Sequence, residues 1–243
     1  MKKSLTIILL AVLAACSPKQ EEAGTATPAP EQAAPTASVM PATTADVPAG
    51  DYTLDKSHAS LIFRVDHLGF SNYTARFKRF DAQLKFDPAD LAASSVSVTI
   101  DPKSLETDFP DVATLDFNAE LYGDKWLDAA HYPEIAFRST DVTVTGPNTM
   151  RITGDFSMHG VTQPVTLDAK FNGGYAGHPM DPHARIGFSA TGQLKRSDFG
   201  ISYGIPAPGT TMGVSDAVDV SIETEFSGPP LAGAAAPPAA AEQ

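Results

Sequence analysis

Between residues 50 and 227 apolar and polar side chains alternate with a period of two, in runs separated by turn residues, and β-strands with one buried face satisfy that spacing. Leu61, Phe63, Val65 and His67 fall on one face, and Ile62, Arg64 and Asp66 on the other. The same beat carries Phe80, Ala82, Leu84 and Phe86, then Val96, Val98 and Ile100, then Ile135 and Phe137, with Val142 and Val144 continuing it. Val165, Leu167, Ala169 and Phe171 follow, then Ile186, Phe188, Ala190, Gly192 and Leu194, and last Val218, Val220, Ile222, Thr224 and Phe226. About eight short strands with short connections predict an all-β, antiparallel barrel or sandwich. A membrane barrel shows the same alternation with its apolar face turned to lipid. Here the strands are mostly short and no aromatic girdles flank them, so the apolar faces are predicted to point inward.

One segment breaks the beat. Between Ser104 and Tyr132 the spacing of Leu115, Ala119 and Tyr122, and of Phe117 and Leu121, is helical, and Pro133 stops it. A short helical insertion carrying Trp126, the single tryptophan of the chain, is predicted to cap one end of the barrel. An eight-stranded barrel either just fills with side chains or holds one small ligand, and alternation alone leaves both open.

The ends of the chain have a different chemistry. Met1-Lys2-Lys3, the apolar run Leu5 to Leu13 and the small residues Ala14-Ala15 compose a secretory signal over residues 1–15. The run falls short of the roughly 20 apolar residues that a membrane-spanning helix needs. Leu13-Ala14-Ala15-Cys16 resembles the lipobox of bacterial lipoproteins, which implies a lipidated Cys16 holding the chain to a membrane. Ser17, rather than Asp, follows it, and by the Gram-negative sorting rule that implies the periplasmic face of the outer membrane. Cys16 is also the one cysteine present, so no internal disulfide can form and an exported domain must rest on its core.

Residues 17–49 contain nine Ala, six Pro and five Thr, and with Cys16 they form a predicted disordered tether over 16–49, on the order of 30 Å r.m.s. in span. The tail, 228–243, carries seven Ala and four Pro and reads the same way. One domain, 50–227, remains. The formal charge is −12, and loss of the two lysines in residues 1–15 makes it −14, which disfavours nucleic acid and anionic lipid surfaces as partners.

Four ordered stretches of this domain resemble the YceI-like family of periplasmic lipid-binding proteins. They are Tyr52-Thr53-Leu54-Asp55-Lys56-Ser57-His58-Ala59, Val65-Asp66-His67-Leu68-Gly69-Phe70-Ser71, Gly154-Asp155-Phe156-Ser157-Met158-His159-Gly160-Val161-Thr162-Gln163-Pro164-Val165, and Arg196-Ser197-Asp198-Phe199-Gly200-Ile201. The resemblance implies a lipocalin-like antiparallel barrel whose apolar tunnel holds a long isoprenoid chain, as in polyprenyl lipids or isoprenoid quinones. Some family members are dimers, which brings a homodimer into view. The chain departs from the family at Thr74-Ala75-Arg76, where a glycine is usual, and in the segment from Phe109 to Trp126, which is less basic.

On this reading Phe63, Val65, Phe77, Leu84, Val98, Phe137, Leu167, Phe188 and Val220 face inward, lining a tunnel if the barrel is hollow and forming core if it is filled. His67, Phe117, Leu121, Trp126 and Arg196 stand at the mouth. His67 is expected to be hydrogen-bonded within its turn, with a ligand head group as the second role, and His159-Gly160 to be a structural hairpin. Arg196 and Asp198, two apart, share a face of an extended strand and are expected to pair, with head-group binding by Arg196 as the second role. No catalytic or metal motif is present: there is no Gly-x-Ser-x-Gly elbow and no His-Glu-x-x-His. No cofactor is expected beyond a bound isoprenoid. The competing readings are an envelope hydrolase or metal enzyme using His67, His159 or the His178/His183 loop, and a filled barrel that binds proteins.

Overall fold

The computed structural model describes residues 47–231, so the signal segment, Cys16 and nearly all of the tether and tail lie outside the described residues. Eleven antiparallel strands form one sheet. They are β1 (Gly50–Leu54), β2 (Ser60–His67), β3 (Ser71–Phe77), β4 (Phe80–Phe86), β5 (Ser95–Ile100), β6 (Leu105–Thr107), β7 (Ile135–Gly146), β8 (Thr149–Met158), β9 (Val161–Tyr175), β10 (His183–Lys195) and β11 (Val214–Pro230). The order β1-β4-β5-β7-β8-β9-β10-β11 closes through β1 pairing with β11, which gives an eight-stranded barrel.

The count of eleven arises because three staves of the barrel are broken. β1 and β2 both pair with β11, β4 and β3 pair with β1 and β2 in turn, and β5 and β6 pair with β4 and β3. The breaks fall where short polar side chains outcompete the ladder for backbone groups. Asp55 accepts from the Ser57 amide at 3.0 Å, and Asp101 accepts from the Lys103 amide at 2.8 Å. The buried Ser104 hydroxyl accepts from the Arg79 amide at 3.0 Å and donates to the Asp101 carbonyl at 2.6 Å.

One half of the barrel is filled. Tyr52, Phe86, Phe171, Phe188 and Phe226 meet there, with Phe171 stacked 6.0 Å from Phe86 and edge-on 5.4 Å from Phe188. Tyr52 is fully buried, its hydroxyl donates to the Pro48 carbonyl at 2.7 Å, and burial pushes that hydroxyl's pKa up to about 12. Its ring lies where a Cβ on Gly228 would stand, 2.1 Å from the nearest ring carbon, so only glycine fits at that point of β11. This corrects both expected domain boundaries. Gly228, Pro229 and Pro230 belong to β11 and not to a tail, and Val47, assigned to the tether, is buried against the filled core.

The alternation places most inward residues correctly but switches phase within β7. Ile135 and Phe137 face in, and after a bulge between Ser139 and Asp141 it is Val142 that is buried while Val144 is half-exposed.

The insertion is also less helical than its spacing predicts. Only α1 (Phe117–Leu121) is helical, and Trp126 lies beyond it in a run of turns. Aspartates set these turns: Asp111 accepts from the Thr114 amide at 3.2 Å, and Asp116 caps α1 by accepting from the Ala119 amide at 2.9 Å. β7 begins at Ile135, opposite Ile100, so β6 has no strand beside its outer edge. Asn118 of α1 covers that edge instead, its Oδ1 accepting from the Thr107 amide at 2.9 Å and from the Thr107 hydroxyl at 2.7 Å.

Candidate functional site

The other half of the barrel encloses a cavity of about 610 Å³. β2, β3, β10 and β11 supply one side of its wall, and the insertion supplies Phe109, Phe117, Leu121, Trp126 and Leu127. A smaller void of about 110 Å³ lies deeper, and Leu61, Val98, Phe137, Leu167 and Ile222 line both spaces. The small void ends against Phe86, Phe188 and Phe226 of the filled half. The interior is therefore hollow at one end and packed at the other.

Of the nine residues expected to face a tunnel, Phe63, Val65, Phe77, Val98, Phe137, Leu167 and Val220 line the large cavity. Leu84 and Phe188 do not: they belong to the filled half and touch only the small void. All five expected mouth residues, His67, Phe117, Leu121, Trp126 and Arg196, line the large cavity. Sequence reasoning passed over Phe156, Tyr73 and Leu194 among the lining residues, although Leu194 shares a face with Phe188 in the alternation.

Only three lining residues other than Trp126 carry polar side-chain groups: His67, Tyr73 and Arg196. They sit at one end. His67 pairs with Val214 across β2 and β11, Arg196 donates from Nη2 to the Val214 carbonyl at 2.8 Å, and Tyr73 pairs with Val65 two residues from His67. His67 is exposed on the rim and its imidazole makes no hydrogen bond among the described residues, contrary to the expectation that the turn would hold it. The turn is held by Asp66, whose Oδ1 accepts from the Gly69 amide at 2.8 Å. Beside it Phe70 projects 83% exposed.

Arg196 corrects a second expectation. It forms no ion pair with Asp198, because residues 196–199 leave the strand as a short 3₁₀ turn that Gly200 closes at φ 77°. The guanidinium bonds four backbone carbonyls instead: Ser215 at 2.9 Å, Ile201 at 3.2 Å, Tyr203 at 2.8 Å and Val214 at 2.8 Å. It lies 5.2 Å above the Trp126 ring, an added cation–π attraction.

The other histidines do not converge on this site. His159 occupies a tight hairpin at φ 53° with Gly160 at φ 75°, and its Nδ1 lies 3.1 Å from the Phe199 carbonyl, the structural role expected of it. His178 lies in the β9–β10 connection and His183 opens β10, both beside the filled half and away from His67. Asp55, His58 and Glu225 offer ligand atoms within 4.8 Å of one another, the one such cluster among the described residues. Arg185 already occupies it, donating from Nη1 to Asp55 at 2.8 Å. The His58 hydrogen bond, ahead of the Ser57 amide and the positive charges nearby, holds the Asp55 carboxyl below the usual carboxylate range. A groove of about 640 Å³ lies at the broken staves, but it is more open and of mixed polarity, and its Lys56 and Arg79 are each paired at 2.7 Å, with Asp81 and Asp101. The apolar cavity is the better ligand site.

A family described as the YceI-like domain matches residues 52–226. A UPF0312 protein of Vibrio cholerae is 36% identical over 179 residues, covering 73% of this chain and 87% of that one. The crystal structure of a Campylobacter jejuni YceI protein shares 30% identity at a TM-score of 0.57, over 73% of this chain and 98% of that one. A polyisoprenoid-binding domain from Saccharophagus degradans has the same fold, with a TM-score of 0.51 at 16% identity, over 73% of this chain and 98% of that one.

Proposed function

From the premise that the chain belongs to the YceI-like family, we propose that it binds an amphiphilic isoprenoid lipid, a polyprenyl lipid or an isoprenoid quinone, with the chain in the barrel cavity and the head at its mouth. The observation that carries this reading is the segregation of the wall: His67, Tyr73 and Arg196 at one end, and hydrocarbon from there to the aromatic floor. An amphiphile has that same polarity. Each Å² of its chain taken from water contributes about 25 cal/mol, offset by the cost of ordering it, so affinity needs few polar contacts. The fold shared with a protein described as polyisoprenoid-binding supports the ligand class. The role that fits such a ligand is carriage or sequestration.

The test begins with the full-length protein purified from its own host. Solvent extraction and mass spectrometry are expected to find one isoprenoid per chain, and adding that lipid back to stripped protein is expected to change the fluorescence of Trp126. An extract free of lipid, with no change on adding a polyprenol or a quinone, would sink the reading.

The second part of the proposal is an anchor on Cys16 at the periplasmic face of the outer membrane. Val47 and Leu231, the first and last described residues, both lie at the filled end. Cys16→Ser is expected to move the protein from the membrane fraction to the soluble one with lipid binding retained. Protein that stays with the membrane in fractionation would count against the lipid anchor.

A further inference from the structure

Two loops project at the mouth end of the barrel. One is the β2–β3 hairpin, and the other is the connection between residues 200 and 213 that leads into β11. They are fastened together: the Leu68 amide donates to the Gly213 carbonyl at 2.9 Å, and a Cβ on Gly69 would stand 3.3 Å from the Thr211 side chain. Neither loop carries a charge. Residues 68–75 and 199–215 include no Asp, Glu, Lys or Arg, in a chain where those four make up 19% of residues. Both turn apolar side chains outward instead, Phe70 at 83% exposure and Met212 at 73%, with Tyr203 half-exposed against Trp126. The longer loop stands clear of the domain, since a Cβ added at Gly204 or Gly209 would meet nothing within 4 Å. Single exposed apolar side chains are ordinary on a protein surface, whereas two on joined, charge-free loops mark an interaction site. Met180 shows the contrast: it is 89% exposed at the filled end, but beside His178 and the Asp181–Arg185 ion pair.

We propose that this tip is a membrane-docking surface, with Phe70 and Met212 entering the interface of a zwitterionic bilayer and seating the mouth against it. The proposal concerns the outer surface and holds whatever occupies the cavity. Charged side chains are costly inside a bilayer, while aromatic and apolar ones are favoured at its boundary, where such a tip sinks about 5–10 Å. Charge also selects the kind of bilayer. Asp66, Asp198 and Asp216 flank the loops, and Asp108, Asp111 and Asp116 are exposed on the insertion. They outnumber Lys195 and Lys125, the latter 5.4 Å from the Tyr203 ring, and the whole chain carries −12, so anionic lipid repels the tip and zwitterionic lipid accepts it. The proposed Cys16 anchor leaves enough chain for this orientation. Docking lifts Val47, at the filled end, by roughly the 45 Å length of a 13-residue strand such as β10. The 30 residues from 17 to 46 reach at most roughly 100 Å, so the anchor and the tip can hold one bilayer.

The test places the full-length protein in phosphatidylcholine vesicles whose acyl chains carry bromine, a short-range quencher of tryptophan. Tryptophan is introduced at two exposed apolar positions, by Phe70→Trp at the mouth end and Met180→Trp at the filled end, and the emission of Trp126 is subtracted with the unsubstituted protein. Emission from Phe70→Trp is expected to shift to the blue and to be quenched at least about twofold more than that from Met180→Trp. Adding Met212→Asp to Phe70→Trp is expected to remove that difference with the thermal midpoint unchanged, because both side chains are exposed. Phosphatidylglycerol in the vesicles is expected to weaken the quenching, and salt to restore it. Equal quenching at the two ends, or none at either, overturns the proposal. Quenching that grows with phosphatidylglycerol overturns the choice of a zwitterionic surface. An unquenched Phe70→Trp, in a protein whose self-association in sedimentation is abolished by Phe70→Asp, overturns the proposal in favour of a second copy of the chain. The anchor stands or falls separately, by fractionation of Cys16→Ser.

Discussion

Phe171→Ala is expected to destabilise the domain by about 3–5 kcal/mol, roughly 6–20 °C in thermal midpoint, while Phe63→Ala costs no more than about 1–2 kcal/mol. Both residues face the barrel axis, and the difference comes from what stands opposite. Phe171 is fully buried against Phe86 and Phe188, so truncation removes its transfer energy and opens a hole lined by rings that cannot all move to fill it. Phe63 borders a space of about 610 Å³ and packs on Phe77 at 5.5 Å, so truncation enlarges an existing void and forfeits fewer contacts. The two variants are expected to reverse order in lipid binding. Phe171→Ala retains it below its melting transition, and Phe63→Ala weakens it. Denaturant or thermal melts, with lipid titrations of the folded variants, measure both, and equal destabilisation by the two would mean the mouth half is as tightly packed as the floor.

This asymmetry shows how far the sequence could be read. Alternation identifies which side chains face the axis, because that depends only on parity along each strand. It cannot say whether an inward side chain meets another across the barrel, since that depends on what the opposing staves bring to the same level. The filled half collects Tyr52, Phe86, Phe171, Phe188 and Phe226, whereas Val65, Val98, Val165, Val218 and Val220 leave space in the mouth half. Assigning residues to levels requires the register, and three broken staves and the bulge at Ser139–Asp141 disturb it. Leu84 and Phe188 therefore face the axis as alternation predicts, but at the depth of the filled half.

The insertion departs from its apolar spacing for a related reason. Apolar spacing near Phe117 and Leu121 is helical, but Asp111, Asp116 and Asp128 bind backbone and side-chain groups locally and hold the rest in turns. What the spacing did capture is which residues reach the cavity: Phe117, Leu121 and Trp126 all do, although only the first two are helical. The short strand edge at Thr107, satisfied by Asn118, could not be foreseen, because it follows from where β7 starts and not from any local motif.

Arg196→Met is expected to cost on the order of 4 kcal/mol, and two opposing terms decide it. Removing the guanidinium relieves the desolvation of a buried charge, the main influence that lowers its pKa. Against that, four carbonyls lose charge-assisted partners at 2.8–3.2 Å, and a methionine side chain offers them no donor. Unmade hydrogen bonds at buried acceptors cost about 1–3 kcal/mol each, so losing four outweighs the relief of one charge even where water reaches some of them. Those carbonyls belong to residues 201, 203, 214 and 215, which bracket the loop between β10 and β11 that also carries Tyr203 against Trp126. The loss is therefore expected to be local before it is global, with faster amide exchange and proteolysis between residues 200 and 214. Arg196→Lys retains the charge but reaches fewer carbonyls, and is expected to lose about half as much. Wild-type stability and exchange in Arg196→Met would mean that the four carbonyls find water or each other, and that the guanidinium is held in the cavity wall for its ligand alone.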